Sequence, residues 1–575
     1  MSEFRSPVPL PHVPDNLSIP QFIFHSGTPG RPVRPSNVPF FIEDGTGRAV
    51  TYEQAHHRTY SLANALSIKW NIGPKDVVCL FSPNDMAPWL PIPTYIHTFS
   101  PANPSFTVEE LRYQLSVTRA KVVIAHPACL STARDAVRAY GIPYDSLVVL
   151  DSSTDSNEHS FPTIGKLIQF GASKGENYKA ISFKPGEAKA AVAFLSFSSG
   201  TTGKPKASNL AVSISHYAVI ANVIQMATHY RLGDPSWPKK SVNPGDVAVG
   251  VLPFFHIYGL VVNMHYMLYS GASIVVIPKF NFGEFLESIT RHRMTHLFLV
   301  PPQIVLLCKH PASKGRVFSH VKFLLSGAAP MSGDLMLQVS KTFPNAAIGQ
   351  GYGLTETATT VCALQPDRKL GTIGSAGELI PGIVAKVVKS DGSLAVDGEQ
   401  GELIVTGPSM ALGYYENPTA TAETFLDGWV RTGDEVIIKN LEVFVVDRLK
   451  EIMKVRGFQV APAELEGHLL LHPDVADACV VGIPDEYSGE IPLAFVVPSA
   501  NALKCIKGGK EGANTVKKRI AKHVSDSKVP YKWLVGGVEF VDVIPRNPSG
   551  KIVRFTFSLC IHRPPEHSEV ASGSS

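Results

Sequence analysis

Short runs of consecutive apolar residues alternate with longer mixed stretches between about residue 40 and residue 350. Six runs are typical of buried strands: DVVCLF (76–81), KVVIAH (121–126), SLVVLD (146–151), ASIVVIP (272–278), HLFLVP (296–301) and VKFLLSG (321–327). Stretches 107–118, 281–293 and 332–343 favour helices between them. Strands that are apolar throughout and alternate with helices indicate a parallel sheet covered on both faces. This part of the chain is therefore predicted to be α/β.

A weak internal repeat accompanies this alternation. The order Asp76-Val77-Val78, helical stretch, KVVIAHP is similar to the order Asp246-Val247-Ala248, helical stretch, HLFLVPP. The two strand-like pieces begin 45 residues apart in the first copy and 50 residues apart in the second. Two related α/β subdomains stacked together would explain the repeat. Chance similarity between two buried strand-helix-strand units is the alternative.

The N-terminal forty residues and the part after residue 360 differ from the α/β part in composition and hydrophobic pattern. Nine prolines fall in the first forty residues, and we expect an extended strap from about residue 16 because Ile19, Phe22, Ile23 and Phe24 need burial. After residue 360, strand-like pieces between Gly-rich turns predict a β-rich unit, and from about residue 450 a compact α+β unit follows. Within it, residues 501–515 are predicted to be an exposed loop, and residues 562–575 a frayed tail.

Composition excludes several functional classes. Lys plus Arg exceeds Asp plus Glu by 53 − 49 = +4, with no basic stripe, so nucleic-acid binding is not expected. The seven cysteines contain no CxxC pair, which favours a reducing compartment. His292 and His296 lack the intervening Glu of a zinc protease motif. No secretory signal, membrane-spanning run or C-terminal SKL is evident, so a cytoplasmic protein is expected.

The segment FSSGTTGKPKA at 197–207 carries the strongest chemical signal. Consecutive hydroxyl side chains and glycines, followed by lysines, can direct N–H groups, hydroxyls and positive charge at phosphate oxygens; a polar surface turn is the alternative. A conventional P-loop is excluded, because Ser198 stands at its first glycine position and Pro205 follows Lys204.

Five further segments occur in a fixed order along the chain: PFFHIYGL (253–260), QGYGLTET (350–357), GWVRTGDE (428–435), VDRLKEIMKVRGFQVAPAELE (446–466) and PRNPSGKIVR (545–554). Together with the phosphate segment they resemble the signatures of the adenylate-forming superfamily, most nearly the 4-coumarate-CoA ligase-like enzymes. The resemblance implies an α/β fold: an N-terminal adenylation domain (1–449) of two stacked α/β subdomains plus a β-rich subdomain, then a small mobile α+β domain (450–575) with the catalytic lysine.

The resemblance also implies the chemistry, its cofactors and its nucleotide-binding residues. A carboxylic acid reacts with ATP to give an acyl-adenylate, and coenzyme A then displaces AMP; Mg²⁺ assists, with Glu356 as its ligand. The resemblance implies that the nucleotide is bound by Ser198, Ser199, Gly200, Thr201, Thr202, Gly203, Lys206, Gly327, Ala328, Gln350, Gly351, Tyr352, Gly353, Thr355, Asp434 and Arg448. It implies that Gly457 lies beside the pantetheine arm of coenzyme A.

Other residues are implied to act on the acyl group. Lys551 would bridge the carboxylate and the α-phosphate, and after movement about a hinge at Lys450 the pair Lys454 and Gln459 would serve the second half-reaction. The acyl pocket is implied to contain His256, Tyr258, Ala328, Gly351 and Gly353, with His256 gating the thiol path.

Some positions depart from the family pattern. Lys204, Ala207 and Arg431 replace residues that are more common there, which leaves the nucleotide affinity open. The HIYGL segment favours an aromatic or phenylpropenoid acid. A medium-chain fatty acid, a carrier-protein acceptor, a luciferase-like oxygenase and an ATP-binding relic remain as alternatives, although Lys551, Lys454, Asp434 and Glu356 argue against the relic.

Overall fold

The computed structural model describes residues 3–24, 27–86, 98–151, 161–175, 182–198, 210–238, 240–507, 509–547, 550–554 and 556–557. They form two compact units, Met1–Thr432 with Val436–Val445 and Gly433–Glu435 with Val446–Ser575. The boundary predicted between residues 449 and 450 stays a prediction. No helix within the described ranges is long and apolar enough to span a bilayer.

A seven-stranded sheet forms one part of the first unit. Its strands, in spatial order, are Gly413–Tyr414, Ala211–Ser215, Val192–Phe197, Thr98–Ala102, Val77–Phe81, Val122–Ala125 and Leu147–Val149. The last five of these pair in parallel, as the apolar runs predicted. The helices of this part are Tyr52–Trp70, Val108–Thr118, Leu130–Tyr140, Ile164–Ser173, Glu187–Ala190 and His216–His229, with 3₁₀ turns Pro127–Cys129 and Tyr144–Ser146.

A second sheet has 15 strands. Along its main path the order is Phe4–Arg5, Val384–Val388, Gln400–Thr406, Trp429–Lys439, Glu442–Arg448, Glu378–Leu379, Thr359–Ala363, Ala347–Leu354, Phe323–Ser326, His296–Leu299, Val247–Gly250, Ser273–Val276, Phe41–Glu43 and Ala49–Val50, while Phe425–Leu426 pairs with Trp429–Lys439. The strands from Ala347–Leu354 to Phe41–Glu43 are parallel. The predicted β-rich part is therefore continuous with this sheet and pairs antiparallel to it at Thr359–Ala363.

The helices His216–His229 and Tyr258–Tyr266 pack between the two sheets, while Phe282–Arg291, Pro301–Lys309 and Gly333–Thr342 pack in a separate core on the second sheet. The helices of this half are the π-helix Tyr258–Tyr266 and the α-helices Met267–Tyr269, Phe282–Arg291, Pro301–Lys309, Gly333–Thr342 and Pro418–Thr424, with 3₁₀ turns Pro311–Ser313 and Thr355–Thr357. One continuous apolar core contains Leu80 of the first sheet, Ile274 of the second, and Val223 and Leu260 of the helices His216–His229 and Tyr258–Tyr266. The stacked arrangement of two α/β parts is thereby confirmed.

The two segments of the predicted internal repeat have the same strand pairing and similar turns, while the repeat itself stays a prediction. Val77–Phe81 and Val247–Gly250 each pair in parallel with the next two strands along the chain, one on either side. In both copies an aspartate closes the turn before the strand. Asp76 Oδ2 accepts the Gly73 N–H at 2.9 Å, and Asp246 Oδ2 accepts the Asn243 N–H at 2.8 Å.

The burial expected for the N-terminal segment is confirmed, but its extended conformation is wrong at residues 19–24, which are helical. Its apolar residues are buried in a short helix, Ile19–Phe24. The Ile19 N–H donates to His216 Nδ1 at 3.1 Å. Contacts begin earlier than predicted, because Phe4–Arg5 already pairs antiparallel with Val384–Val388.

The second unit is built on a five-stranded sheet. Its strands are Phe458–Val460, Met453–Val455, Gly489–Pro498, Val475–Asp485 and Gly537–Phe540, and its helices are Pro462–Leu469, Ala500–Ile506 and Lys510–Ser527, with the 3₁₀ turn Pro530–Lys532. The loop predicted at 501–515 is wrong. Ala502, Val516 and Ile520 are fully buried, so both helices have an apolar face packed on the sheet. The predicted tail at 562–575 lies outside the described residues.

Replacing Asp246 by alanine should destabilise the first unit. The buried carboxylate accepts the Asn243 N–H and pairs with Lys322 at 2.7 Å, so its loss should cost about 1–3 kcal/mol. Thermal unfolding followed by circular dichroism measures the effect. The control is Asp135→Ala, which removes an exposed pair with Arg134. Equal melting temperatures for the two variants would contradict the structural role of Asp246.

Candidate functional site

The strand Ala347–Leu354 places four of the predicted site residues where the second sheet changes from parallel to antiparallel pairing. Ser326 lies opposite Gln350 on the parallel side, and Gly351 lies opposite Ala363 on the antiparallel side, with a register shift between Tyr352 and Gly353. A Cβ on Gly353 would stand 1.4 Å from the Thr359 carbonyl oxygen. No residue but glycine fits there without moving the strand.

Gln350 is held by the protein at both ends of its amide. Its Oε1 accepts the Met331 N–H at 2.6 Å, and its Nε2 donates to the Ser375 carbonyl at 3.2 Å. The side chain is buried. In the described structure it fixes the loop after Gly327, and its predicted contact with a nucleotide stays a prediction.

Tyr258, Gly327 and Ala328 are brought together. The Tyr258 hydroxyl donates to the Leu325 carbonyl at 3.0 Å, and a Cβ on Gly327 would lie 2.8 Å from the tyrosine ring. Ala328 follows with a left-handed φ of 69°. Burial raises the pKa of Tyr258 well above its ordinary value. The ring is therefore a neutral, flat wall beside the end of the strand Phe323–Ser326.

His256 stands at the start of the same π-helix. Its Nδ1 accepts the Tyr258 N–H at 3.3 Å, and its carbonyl accepts the Leu260 N–H at 2.9 Å. Because Nδ1 acts as an acceptor, the neutral ring carries its proton on Nε2. This tautomer is inferred from the hydrogen bond between the Tyr258 N–H and His256 Nδ1.

Thr355 and Glu356 form a 3₁₀ turn directly after the strand. Glu356 Oε1 accepts the Tyr414 hydroxyl at 2.9 Å, and the Glu356 carbonyl accepts the Ala411 N–H at 2.9 Å. Among the described residues no cluster of three or more His, Cys, Asp or Glu side chains could hold a metal. A single carboxylate beside a hydroxyl does fit Mg²⁺, which keeps several waters and phosphate oxygens as ligands.

The segment after Glu356 joins it to the acyl-pocket segment. Ala358 and Thr359 both have left-handed φ, 48° and 111°. Thr359 Oγ1 donates to the Ile257 carbonyl at 3.1 Å, between His256 and Tyr258. Tyr414 and Thr359 were not singled out from the sequence, since each lies far along the chain from its partner and no local pattern signals the contact.

Of the predicted phosphate segment, 197–207, only residues 197 and 198 are among the described residues. Ser198 donates its N–H to the Leu210 carbonyl at 3.0 Å, at the open end of the antiparallel pair Val192–Phe197 and Ala211–Ser215. Ser199, Gly200, Thr201, Thr202, Gly203, Lys204, Lys206 and Ala207 lie outside the described residues. Arg431, a departure from the family pattern, pairs with Glu402.

In the second unit, Asp434 and Arg448 are adjacent. Arg448 Nε lies 3.2 Å from Asp434 Oδ1, and the Asp434 residue is only 3% exposed. Gly433, with φ 69°, accepts the Leu449 N–H through its carbonyl at 3.0 Å. Lys450 follows and is exposed. A buried carboxylate oriented by one guanidinium suits a ligand that offers hydroxyl donors.

Lys454 and Gln459 face each other across a tight hairpin. They are cross-strand partners in the pair Met453–Val455 and Phe458–Val460. The connecting residues Arg456 and Gly457 have φ of 52° and 82°, the backbone of a type I′ turn. Lys454 and Gln459, which are predicted to act in the second half-reaction, are therefore both exposed and lie next to each other.

Lys551 lies in another hairpin of the second unit. Its N–H donates to Asn547 Oδ1 at 2.9 Å, and its carbonyl accepts the Asn547 N–H at 2.9 Å. Arg546 Nη1 adds a bond to the Gly550 carbonyl at 3.1 Å, and Arg546 forms a backbone bridge with Ile552. The lysine is therefore presented from a short loop closed by Asn547 and Arg546.

Replacing Gly353 by alanine should disrupt the pairing of the strands Ala347–Leu354 and Thr359–Ala363. The methyl group would collide with the Thr359 carbonyl, which is backbone and cannot move aside. We expect a lower melting temperature and loss of any ligand binding that needs Glu356. Gly45→Ala is the matched control, because a Cβ there meets nothing within 4 Å. A Gly353→Ala variant that melts like Gly45→Ala would contradict this packing.

The chain is similar to known proteins over most of its length. Residues 30–415 match the AMP-binding enzyme family, and residues 464–551 match the AMP-binding enzyme C-terminal domain. 4-Coumarate–CoA ligase 2 of Solanum tuberosum is 33% identical over 571 residues, 96% of this chain and 95% of that protein. 4-Coumarate–CoA ligase 1 of Arabidopsis thaliana is 33% identical over 573 residues, 96% and 94% of the two chains. The structure of the anthranilate CoA ligase AuaEII with anthranoyl-AMP shares the fold, with TM-score 0.80, 20% identity and coverage of 95% and 98%.

Proposed function

The chain belongs to the AMP-binding enzyme family and is an AMP-forming acid-CoA ligase, and we propose that it acts on an aromatic or phenylpropenoid carboxylic acid. The observation that carries the substrate class is the Tyr258 ring, anchored through its hydroxyl to Leu325 and packed against the bare Gly327. A flat apolar wall suits a planar ring, because aromatic faces pack closely in offset stacks. The full-length relatives named as 4-coumarate–CoA ligases support the same class.

In the proposed first half-reaction the substrate carboxylate attacks the α-phosphorus of ATP and pyrophosphate leaves, which produces an acyl-adenylate. Negative charge grows on the oxygens around phosphorus, so a nearby ammonium group lowers the barrier. We assign this role to Lys551. Glu356 would hold Mg²⁺, which neutralises phosphate charge when bound, and Thr355 would contact the phosphate. Asp434, oriented by Arg448, would accept hydrogen bonds from the ribose hydroxyls.

In the proposed second half-reaction the thiol of coenzyme A attacks the acyl carbon and AMP leaves. We assign Lys454 and Gln459 to this step, with Gly457 beside the pantetheine arm and His256 gating the thiol path. The second unit presents Lys454 and Lys551 on separate hairpins. We propose that reorientation about Lys450 exchanges one lysine for the other.

Product analysis tests the proposed function. The protein is incubated with ATP, Mg²⁺, CoA and a panel of hydroxycinnamic, benzoic and medium-chain fatty acids, and AMP and thioester are measured. We expect equimolar AMP and thioester, fastest with a planar aromatic acid. Preference for a fatty acid would overturn the substrate class. AMP release with light and no need for CoA would identify an oxygenase, and transfer only to a carrier protein would identify a loading enzyme.

Lys551→Ala and Lys454→Ala should impair different steps. Lys551→Ala should slow acyl-adenylate formation by about 10²–10³-fold, the effect of losing one group that stabilises the charge of a transition state. Lys454→Ala should mainly slow thioester formation from supplied acyl-adenylate. Pyrophosphate release and thioester formation are measured separately. Lys522→Ala, at an exposed pair with Asp526, is the control. Equal loss of both steps in both variants would contradict the assignment.

Tyr414→Phe should weaken the binding of Mg²⁺ at Glu356. The variant removes the hydroxyl that donates to Glu356, a hydrogen bond to a charged group worth about 1.5–3 kcal/mol. We expect a roughly tenfold rise in the Mg²⁺ concentration for half-maximal adenylation, with little change in the KM of the acid. Tyr144→Phe, on the exposed surface, is the control. An unchanged Mg²⁺ dependence would remove Glu356 from the metal assignment.

A further inference from the structure

A buried ionic cluster in the second unit involves a residue with no role so far. Arg554 lies three positions after Lys551, and its guanidinium donates through Nη1 to Glu451 and through Nη2 to Glu466 Oε2, the latter at 2.7 Å. The side chains of Arg554 and Glu466 are only 16% and 9% exposed. Two carboxylates are therefore bridged by one planar cation in a largely dry environment.

Such a cluster is not explained by stability alone. Removing several charges from water costs free energy that their attraction only partly restores, and apolar replacements are often no less stable. Burial raises the pKa of Glu451 and of Glu466, while Arg554 lowers both. The nearby Asp447 is also buried, and burial raises its pKa. A buried ionic cluster of this kind suits a role in specifying geometry.

The three partners of the cluster belong to different parts of the unit. Glu451 follows Arg448 and Lys450 in the segment after the strand Glu442–Arg448. Glu466 lies on the helix Pro462–Leu469, and its Oε1 accepts the Val480 N–H of the central sheet at 2.8 Å. Arg554 continues the hairpin of Lys551, whose Val553 N–H donates to the Pro545 carbonyl at 2.9 Å. One guanidinium thus joins the lysine hairpin, the segment after Arg448 and the core of the unit.

The cluster is close to Lys551 itself. The Lys551 ammonium acts electrostatically on Glu451 together with Arg554 and Arg448. The Asp447 carboxylate, by accepting the Arg448 N–H at 2.7 Å and the Ala463 N–H at 3.1 Å, ties the same segment to the start of the helix. The position of the Lys551 hairpin relative to Glu451 and the helix Pro462–Leu469 therefore depends on this cluster.

We propose that Arg554 is a positioning residue for Lys551: its ion pairs with Glu451 and Glu466 hold the lysine hairpin in a fixed place against Glu451 and the helix Pro462–Leu469, on the same side of Lys450. This inference rests on the proposed function, because it assigns Arg554 to the adenylation step. Displacement of a catalytic group by about 1 Å can cost about 10²-fold in rate, so loosening the hairpin should slow adenylation without abolishing nucleotide binding.

Glu451→Gln and Arg554→Lys test the proposal. Glutamine keeps the shape of Glu451 but loses its charge, and a lysine ammonium cannot bridge two carboxylates as a guanidinium does. For both variants we expect the kcat of pyrophosphate release to fall about tenfold or more, with the KM of ATP within about twofold of the wild type. Thioester formation from supplied acyl-adenylate should stay within about twofold.

A double-mutant cycle separates positioning from general destabilisation. If Glu451 and Arg554 act through Lys551, then adding Glu451→Gln to Lys551→Ala should cause no further loss of the residual adenylation rate. A merely structural role would give an additional loss and would also slow the second step. Arg519→Lys is the matched control, since Arg519 pairs with Asp474 elsewhere in the same unit and should leave both steps unchanged.

The outcomes distinguish this inference from the proposed function. If the wild type forms the adenylate and Glu451→Gln keeps its full rate, or loses both steps equally, the positioning role is wrong while the function stands. If the wild type itself forms no adenylate, the proposed function fails. Should Arg554→Lys fail to fold, Glu451→Gln alone decides, because its carboxylate is partly exposed and its loss leaves the Glu466 pair in place.

Discussion

The strand Ala347–Leu354 has to pair in opposite senses with its two neighbours, and the rest of the candidate site depends on that requirement. It is parallel to Phe323–Ser326 and antiparallel to Thr359–Ala363, with the register shift falling at Gly353. The chain then reverses through a 3₁₀ turn and two left-handed residues, Ala358 and Thr359. Such conformations cost about 1–3 kcal/mol each and persist only where the surroundings hold them. Here Thr357 Oγ1 donates to the Thr359 carbonyl at 2.9 Å.

The chain reversal at residues 355–359 links the segment of Glu356 to the segment of His256 and Tyr258. Glu356 is presented at the end of the strand, while Thr359 reaches back to the segment of His256 and Tyr258 through Ile257. A carboxylate, an imidazole and an aromatic wall are thus positioned by main-chain geometry before any ligand arrives. The second unit follows the same principle, since Lys454 and Lys551 are each carried by a short hairpin whose turn is closed by hydrogen bonds or by a type I′ backbone.

Much of the fold could be predicted from the sequence because burial on both faces leaves a clear local signal. The apolar runs became the parallel strands, and the aspartates at 76 and 246 close similar turns before two of them. The segment 501–515 was misread because its glycines and lysines suggested a loop. Among its described residues only Ala502 is buried, and the apolar face of the second helix becomes apparent only beyond the segment, at Val516 and Ile520.

The candidate site was predictable in its residue types and much less so in its contacts. The family resemblance groups Lys454 with Gln459 and assigns Asp434 and Arg448 separately to the nucleotide, and the structure places the members of each pair together. The bonds of Tyr414 to Glu356 and of Arg554 to Glu451 join residues 58 and 103 positions apart. Contacts at such separations are decided by the packing of whole elements, so no local pattern announces them. Gln350 illustrates the same limit, because both ends of its amide are bound by Met331 and Ser375.

The central claim is that the chain activates a carboxylic acid at the α-phosphorus of ATP before any thiol takes part. Isotope exchange between pyrophosphate and ATP, measured without CoA, tests it most directly. The account predicts exchange that appears only when a suitable aromatic acid is added. Exchange that stays at background with every acid of the panel, while the folded protein still binds ATP, would contradict it.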